Sequence, residues 1–190
     1  MPWCCRAELY GRGTKSMSSK PYRVAIITVS DKGSRGERGD ASGKLVVEIM
    51  EAGGYTVASH TMLPDEQPLL ELELKRLCDE GLADLVLTTG GTGFSPRDRT
   101  PEATIAVAER LVPGIPEAMR MQSMAITRRA MLSRAAAAIR GRTLIVNLPG
   151  SPRAVRENLE CIVSELGHGL DILTGNDGEC GGGGQNDLPG

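Results

Sequence analysis

The chain has 190 residues, which is about the size of one domain. Hydrophobic residues make up 40% and charged residues 24%, a globular balance that excludes global disorder and collagen-like repeats. The net charge of −2 argues against a nucleic-acid partner, and no apolar run approaches the roughly 18 residues of a membrane span.

The two ends of the chain differ from its middle. Residues 1–20 carry four basic residues and one acid without apolar periodicity, so they are predicted to be a flexible extension, with residues 1–16 dispensable. They also lack the apolar stretch of a secretory signal. Residues 176–190 are too rich in glycine to build a core and are predicted to be a disordered tail. Residues 21–175 run without linker or repeat and form the predicted functional domain.

Strand and helix patterns alternate along this domain. Apolar, β-branched runs predict buried strands at Arg23–Ser30, Tyr55–Met62, Asp84–Thr89 and Thr143–Leu148. Apolar residues at helical spacing predict helices after a cap at Asp40, over Glu66–Asp79, after a cap at Thr100, over Pro116–Ile126 and after a cap at Ser151. The alternation predicts a three-layer α/β sandwich, a mainly parallel sheet with helices on both faces.

One segment allows two interpretations from its residues. Ser133–Arg140 contains four consecutive alanines, and alanine is the best helix former. Its short distance from the strand at Thr143 also allows a hairpin strand, so both structures stay open.

The cysteines and histidines give no catalytic or metal-binding pattern. Five cysteines are scattered without CxxC or Cys/His spacing, which argues against disulfides and zinc and favours a reducing, cytoplasmic setting. Cys78 and Cys161 fall in helical segments, where cysteine usually packs as a small hydrophobe. His60 and His168 are far apart, so a histidine triad has little support.

Ligands of parallel α/β sheets bind beyond the carboxyl ends of the strands, which directs attention to the loops. The most informative one is Thr88–Thr104, with the sequence TTGGTGFSPRDRTPEAT. Its glycines let backbone amides approach an anion, and the following helix N-terminus adds partial positive charge. It is neither a Walker A loop nor a dinucleotide fingerprint. A tight turn is the alternative, but the neighbouring hydroxyl and arginine side chains favour an anion site.

Three other loops are also polar. In LPDEQ, Asp65 either caps the next helix or joins Asp98 in holding a hard cation beside a phosphate. NLPGSPR is either an ordinary strand–turn–helix connection or a second phosphate-facing helix N-terminus, with the amides of Gly150 and Ser151 as donors. Residues 30–43 are long and polar enough to be a mobile loop or a ligand lid.

These motifs together carry a resemblance. ITVSDKG, DASG, LPDEQ, TTGGTGFSPRDRTPEAT, PGIPEAMR and NLPGSPRAV, in this order, resemble the molybdopterin adenylyltransferase family, which includes MogA, MoaB and the G-domains of gephyrin-type proteins. The likeness runs from about Arg23 to Leu173. It implies a three-layer α/β domain that assembles as a homotrimer, and it favours a strand for the alanine run.

The resemblance also implies a reaction and its residues. Family members join the phosphate of molybdopterin to AMP from Mg²⁺-bound ATP, release pyrophosphate and pass the product to a molybdenum insertase. The catalytic, metal-binding carboxylates would be Asp65 and Asp98. The substrate-binding residues would be Ser30, Asp31, Asp40, Thr89, Gly90, Gly91, Thr92, Gly93, Ser95, Pro149, Gly150 and Ser151. A non-catalytic molybdopterin or molybdate carrier, or a scaffold on the same fold, is the alternative; the intact aspartate pair favours the enzyme.

Overall fold

The computed structural model describes residues 21–176. The predicted N-terminal extension, residues 1–20, of which 1–16 are predicted to be dispensable, and residues 177–190 of the predicted tail lie outside the described residues. The strands are β1 (Arg23–Val29), β2 (Thr56–Leu63), β3 (Leu85–Thr89), β4 (Arg110–Leu111), β5 (Ala137–Arg140) and β6 (Thr143–Leu148). The helices are α1 (Asp31–Ser34), α2 (Ala41–Ala52), α3 (Gln67–Asp79), α4 (Thr100–Val107), α5 (Gly114–Met124), a 3₁₀ helix (Arg128–Leu132) and α6 (Pro152–Thr174).

The strands form one six-stranded sheet in the order β2-β1-β3-β6-β5-β4. The pairs β1–β2, β1–β3 and β3–β6 are parallel, whereas β5 pairs antiparallel with β6 and β4. The chain leaves β1 toward β2 and then crosses back to β3 on the other side of β1. The carboxyl ends of β1 and β3 are therefore a switch point, where open α/β sheets form a ligand crevice.

Each face of the sheet carries its own core. Val24 and Ile26 of β1 pack among residues of α2, α5 and α6, whereas Ala25 and Ile27 pack among residues of α3 and α4. Side chains alternate along a strand, so one apolar strand supplies both cores. The predicted three-layer α/β sandwich is confirmed.

A buried amide group holds the end of β6 in place. The Asn147 side chain donates to the hydroxyls of Thr88 (3.0 Å) and Thr104 (2.8 Å) and accepts from the amide of Ala136 (3.2 Å). Asn147 is fully buried, and both its side-chain nitrogen and its side-chain oxygen have hydrogen-bond partners on other segments. The polar residue that ends this apolar strand thus fixes β3, α4 and the start of β5 around it.

Several predicted element boundaries change. The segment Ser133–Arg140, for which both a helix and a strand were predicted as possible, contains a strand at Ala137–Arg140, because its backbone pairs with β6 in a hairpin. The cap of α4 is Arg99 rather than Thr100, which is already helical and whose buried hydroxyl has no partner among the described residues. Helix α5 begins at Gly114 rather than Pro116. The caps predicted at Asp40 and Ser151 are confirmed, since both accept a backbone amide hydrogen bond.

Two further predictions concern membrane spans and the role of Cys78. None of the helices within residues 21–176 is long and apolar enough to cross a membrane. Cys78 is buried, and burial raises the pKa of its thiol to about 11, so the thiol is protonated at neutral pH. A protonated thiol is a poor nucleophile, which agrees with its predicted packing role.

Candidate functional site

An open pocket of about 410 Å³ lies at the switch point between the ends of β1 and β3. It is lined by Thr28, Val29, Ser30, Gly33, Arg38, Gly39, Asp40, Ala41, Ser42, Met62, Asp65, Thr89, Gly90, Gly91, Asp98, Gly150, Ser151 and Pro152. The four loops singled out in the sequence therefore meet in one cavity. Of the predicted site residues, Asp31, Thr92, Gly93, Ser95 and Pro149 do not line it.

Asp65 is held by the loop that follows β1. Its Oδ2 accepts a hydrogen bond from the amide of Asp31 at 2.8 Å, and its own amide donates to Asp31 Oδ1 at 3.1 Å. The interpretation of Asp65 as a helix cap is wrong, because α3 begins at Gln67 and its N-cap is Glu66, without a side-chain cap bond. Asp65 Oδ1 accepts no hydrogen bond within residues 21–176, and Asp65 lines the pocket.

Arg97 neutralises Asp31 at the mouth of the pocket. Its guanidinium donates to both Asp31 oxygens, at 2.8 and 3.1 Å, and lies 2.8 Å from Glu66 Oε1. This hydrogen bond lowers the pKa of Asp31. By contrast, burial raises the pKa of Asp65, and the negative charges of Asp31 and Asp98 add to that effect. Asp31 is therefore a carboxylate paired with an arginine. Asp65, by contrast, lines the pocket, and burial disfavours its charged form.

Asp98 reaches the pocket from the glycine-rich loop. Its Oδ2 accepts from the amide of Ser95 at 2.9 Å, and its amide donates to Ser95 O at 2.9 Å. These bonds close a tight turn that leaves Oδ1 without a donor in the described part of the chain. Asp65 and Asp98 thus each present one carboxylate oxygen that no residue between 21 and 176 uses.

The start of the glycine-rich loop is pressed against β1. Gly90 has φ +104°, and a Cβ at this position would lie 2.3 Å from Val29 O, so glycine is required here. The Gly90 amide already donates to Leu148 O at 3.3 Å, whereas the Gly91 amide has no acceptor in the described residues. Between Gly91 and Asp98 the loop does not line the pocket: Thr92 is buried, and Ser95 is exposed.

A third carboxylate of the pocket, Asp40, is held by polar neighbours. Asp40 Oδ2 accepts from the Thr28 hydroxyl at 2.7 Å and lies 2.8 Å from His60 Nε2, while Oδ1 accepts from the Gly43 amide. A Cβ on Gly43 would lie 2.3 to 2.4 Å from atoms of all three partners. Glycine is therefore needed for the start of α2 to approach this cluster, and the Asp40 side chain is only 9% exposed.

The turn after β6 forms the remaining wall. The Thr89 hydroxyl donates to Pro149 O at 2.8 Å, and the Ser42 hydroxyl donates to Gly150 O at 2.7 Å. The carbonyl oxygens of Pro149 and Gly150 thus already accept hydrogen bonds from side chains of the protein. The amides of Gly150 and Ser151 have no acceptor within residues 21–176 and lie at the start of α6, where the helix dipole favours an anion.

Charge in the pocket is unbalanced. Asp40, Asp65 and Asp98 line it, against one cationic side chain, Arg38. A phosphate ligand alone would be repelled by three carboxylates at close range. Two free carboxylate oxygens, as hard donors, suit a divalent cation that accompanies the phosphate, although residues 21–176 contain no group of three or more His, Cys, Asp or Glu that could hold a metal.

The residues that the sequence did not identify include Thr28 and Arg38, which line the pocket, and His60, which contacts the lining residue Asp40. Thr28 is a polar residue in an otherwise apolar strand, and this polarity could have indicated a place in the site. Arg38 lies in a loop, RGERGD, whose charges are typical of solvated turns. His60 of β2 contacts Asp40, the N-cap of α2, across 20 residues, and both side chains meet the Thr28 hydroxyl of β1.

Comparisons with known proteins agree with this geometry. The family model described as a probable molybdopterin binding domain matches residues 25–168. A molybdopterin adenylyltransferase of Helicobacter pylori (strain J99) is 40% identical over 155 residues, which cover 80% of this chain and 88% of the relative. The molybdopterin adenylyltransferase of Haemophilus influenzae is 41% identical over 151 residues, which cover 78% of this chain and 76% of the relative.

Solved structures share the fold as well. The crystal structure of the molybdopterin biosynthesis enzyme MoaB from Thermus thermophilus is 49% identical and has a TM-score of 0.77. The match covers 81% of this chain and 97% of that one. The resemblance predicted from the motifs is confirmed: the chain belongs to the molybdopterin-binding domain family of molybdenum cofactor biosynthesis proteins.

Proposed function

We propose that this protein is a molybdopterin adenylyltransferase that uses Mg²⁺-bound ATP. The observation that carries the proposal is the pair of carboxylate oxygens, one on Asp65 and one on Asp98, that face one pocket without a protein donor in the described residues. The curated relatives bear the same enzyme name at 40–41% identity over more than three quarters of this chain. The functional unit is proposed to be residues 21–175.

The two carboxylates fit a magnesium site. Mg²⁺ is usually bound by one or two protein carboxylates, with water and substrate phosphate oxygens completing its shell. When bound, the metal would neutralise charge on the phosphates. The raised pKa of Asp65 records a cost of holding this charge in the pocket, which a cation would relieve.

The remaining lining residues suit a phosphate ligand. The free amides of Gly91, Gly150 and Ser151 are donors at loop and helix N-terminal positions, where anions bind well. Arg38 adds a positive charge from the loop over the pocket. Ser30 and Asp40 also line the pocket. Asp31, Thr92, Gly93, Ser95 and Pro149 would act by shaping the loops rather than by contacting the ligand.

The proposed reaction needs little covalent participation from the protein. The phosphate oxygen of molybdopterin attacks the α-phosphorus of ATP, the bond to the β-phosphate oxygen breaks, and pyrophosphate leaves with the bonding electron pair. Such transfers depend on in-line positioning and on cancelling charge repulsion. The carboxylates, backbone amides and Arg38 of the pocket would supply both the positioning and the charge compensation. As part of the proposal, the protein is a cytoplasmic homotrimer that passes adenylylated molybdopterin to a molybdenum insertase.

The test is to incubate the protein with molybdopterin, ATP and Mg²⁺ and to measure adenylylated molybdopterin and pyrophosphate. We expect both products in equal amounts, with formation abolished by a metal chelator and restored by added Mg²⁺. Tight molybdopterin binding with neither product would contradict the enzyme and support the non-catalytic carrier.

A further inference from the structure

Arg134 makes an unusual set of contacts with the loop that carries Asp98. Its Nε donates to Gly93 O at 2.6 Å, its Nη2 donates to Asp98 O at 2.5 Å, and its backbone amide donates to Thr92 O at 3.0 Å. One guanidinium thereby joins the two ends of the loop Gly93–Asp98. Arg134 lies between the 3₁₀ helix and β5, so it approaches from outside the pocket.

The loop has few other attachments. Within it, Ser95 and Asp98 bond to each other, which sets the direction of the Asp98 side chain. Arg97 reaches outward to Asp31 and Glu66, but its side chain is 51% exposed, and exposed ion pairs contribute little to order. Among residues 21–176, Arg134 is the one side chain outside the loop that donates hydrogen bonds to it.

Arg134 is itself held by Glu102 in the first turn of α4. Its Nη1 donates to Glu102 Oε1, while Glu102 Oε2 is buried without a partner in the described residues. Burial tends to raise the pKa of Glu102, but the hydrogen bond and charge of Arg134 outweigh it and leave that pKa lowered. The carboxylate therefore stays charged and fixes the plane of the guanidinium, because arginine donates through a rigid fork.

We propose that Arg134 is a positioning residue for Asp98: it pins both ends of the Gly93–Asp98 loop and so fixes the free carboxylate oxygen in the pocket. This inference rests on the proposed function in one respect, namely that Asp98 acts on the bound nucleotide. A displacement of about 1 Å at a reacting group can cost about 10²-fold in rate. Loss of the guanidinium should therefore reduce turnover without removing any group that touches substrate.

The experiment compares Arg134→Ala with a matched control, Arg140→Ala. Arg140 likewise donates to both a carboxylate and the backbone, through two nitrogens to Asp79 and one to Val107 O, but it does not line the pocket. Both changes remove three side-chain hydrogen bonds of a partly buried arginine. The comparison therefore separates a general loss of stability from a specific loss of loop order.

Three measurements on the full-length variants decide the matter. Amide exchange of residues 93–98 in the unliganded protein should be faster by about tenfold in Arg134→Ala than in Arg140→Ala, since local opening is no longer opposed by these bonds. The kcat for adenylylation should fall by about 10–100-fold with a smaller change in the KM for molybdopterin. Affinity for Mg²⁺-ATP, measured by calorimetry, should weaken in Arg134→Ala and stay near wild type in the control.

Rescue sharpens the test. Millimolar guanidinium should restore part of the kcat of Arg134→Ala, because the free ion carries the same planar fork. Arg134→Lys should recover little, since an ammonium cannot span the carbonyls of Gly93 and Asp98. Unchanged exchange in Arg134→Ala, or faster exchange with wild-type kcat and Mg²⁺-ATP affinity, would overturn the proposal. If the wild type forms no product, the proposed function fails, and exchange together with Mg²⁺-ATP affinity still decides the role of Arg134.

Discussion

Asp31 and Asp65 each accept a hydrogen bond from the backbone amide of the other, at 3.1 and 2.8 Å. The exchange ties the loop after β1 to the loop after β2 and occupies one oxygen of each carboxylate. Arg97 neutralises Asp31 through a bidentate pair. Asp65, which lines the pocket, therefore keeps one oxygen that no residue between 21 and 176 donates to.

Replacing either pocket carboxylate should abolish most activity while preserving the fold. Asp65→Asn and Asp98→Asn keep a carbonyl oxygen for the amides of Asp31 and Ser95, so the loops should stay in place. Loss of one preorganised charge typically costs about 10²–10³ in kcat. We expect this loss in adenylylation assays at saturating Mg²⁺ and ATP, with molybdopterin affinity nearly unchanged by titration.

The control for this pair is Asp79→Asn, which alters an exposed carboxylate paired with Arg140 far from the pocket. Its turnover should match that of the wild type. Near-normal turnover in both Asp65→Asn and Asp98→Asn would contradict the two-carboxylate mechanism.

Asp65 should also govern how stability depends on pH. Its pKa is raised in the folded state, chiefly by burial, so the folded protein holds this proton more tightly than the unfolded chain. The charged carboxylate therefore lowers the free energy of unfolding as pH rises above its ordinary pKa of about 3.9. At pH 7, without ligands, Asp65→Asn should be at least as stable as the wild type, and the difference should shrink toward zero below that pKa. Urea titrations between pH 3 and 7 measure this; a variant that is less stable at pH 7 than at pH 4, relative to the wild type, would contradict the assigned sign.

The His60–Asp40 contact should support nucleotide binding modestly. His60 Nε2 lies 2.8 Å from Asp40 Oδ2 and 3.2 Å from the Thr28 hydroxyl, and both of these partners line the pocket. A hydrogen bond to a charged group contributes about 1.5–3 kcal/mol, and less at a partly exposed side chain such as this one. His60→Phe should raise the KM for ATP by about threefold to tenfold, whereas His60→Gln, which keeps a donor, should stay close to the wild type. A wild-type KM for ATP in both variants would contradict a role of His60 in nucleotide binding.

The fold was largely predictable because its strands are apolar runs, and parallel topology then places the loops at one edge. Local periodicity does not reveal side-chain contacts between distant segments. His60 of β2 contacts Asp40 at the start of α2 across 20 residues, and Arg134 contacts Gly93 and Asp98 across 41 and 36 residues. Asp65 resembled a helix cap because residues just before a helix often cap it; its actual donor, the Asp31 amide, lies in another loop.

Methionines on and after α5 should form a subunit contact in a homotrimer. The methionines of this region differ in exposure: Met119 is buried in the core, whereas Met121, Met124 and Met131 are 74%, 46% and 59% exposed. Ile126 and Leu132 are exposed nearby in the chain. Exposed apolar groups of this density are typical of protein interfaces, and a closed ring of three would bury them in symmetric copies of one contact.

Light scattering should give three times the 20.2 kDa chain mass, and the mass should hold on dilution. A charge at the contact would be buried without a partner, so the double variant Met121→Glu, Met124→Glu should dissociate into monomers with unchanged secondary structure. Leu72→Glu is the matched control, because Leu72 is 66% exposed on α3, which packs on the other face of the sheet. It should remain a trimer. A wild-type mass of one chain at all concentrations would exclude the trimer, and a trimer that survives both glutamates would place the contact elsewhere on the surface.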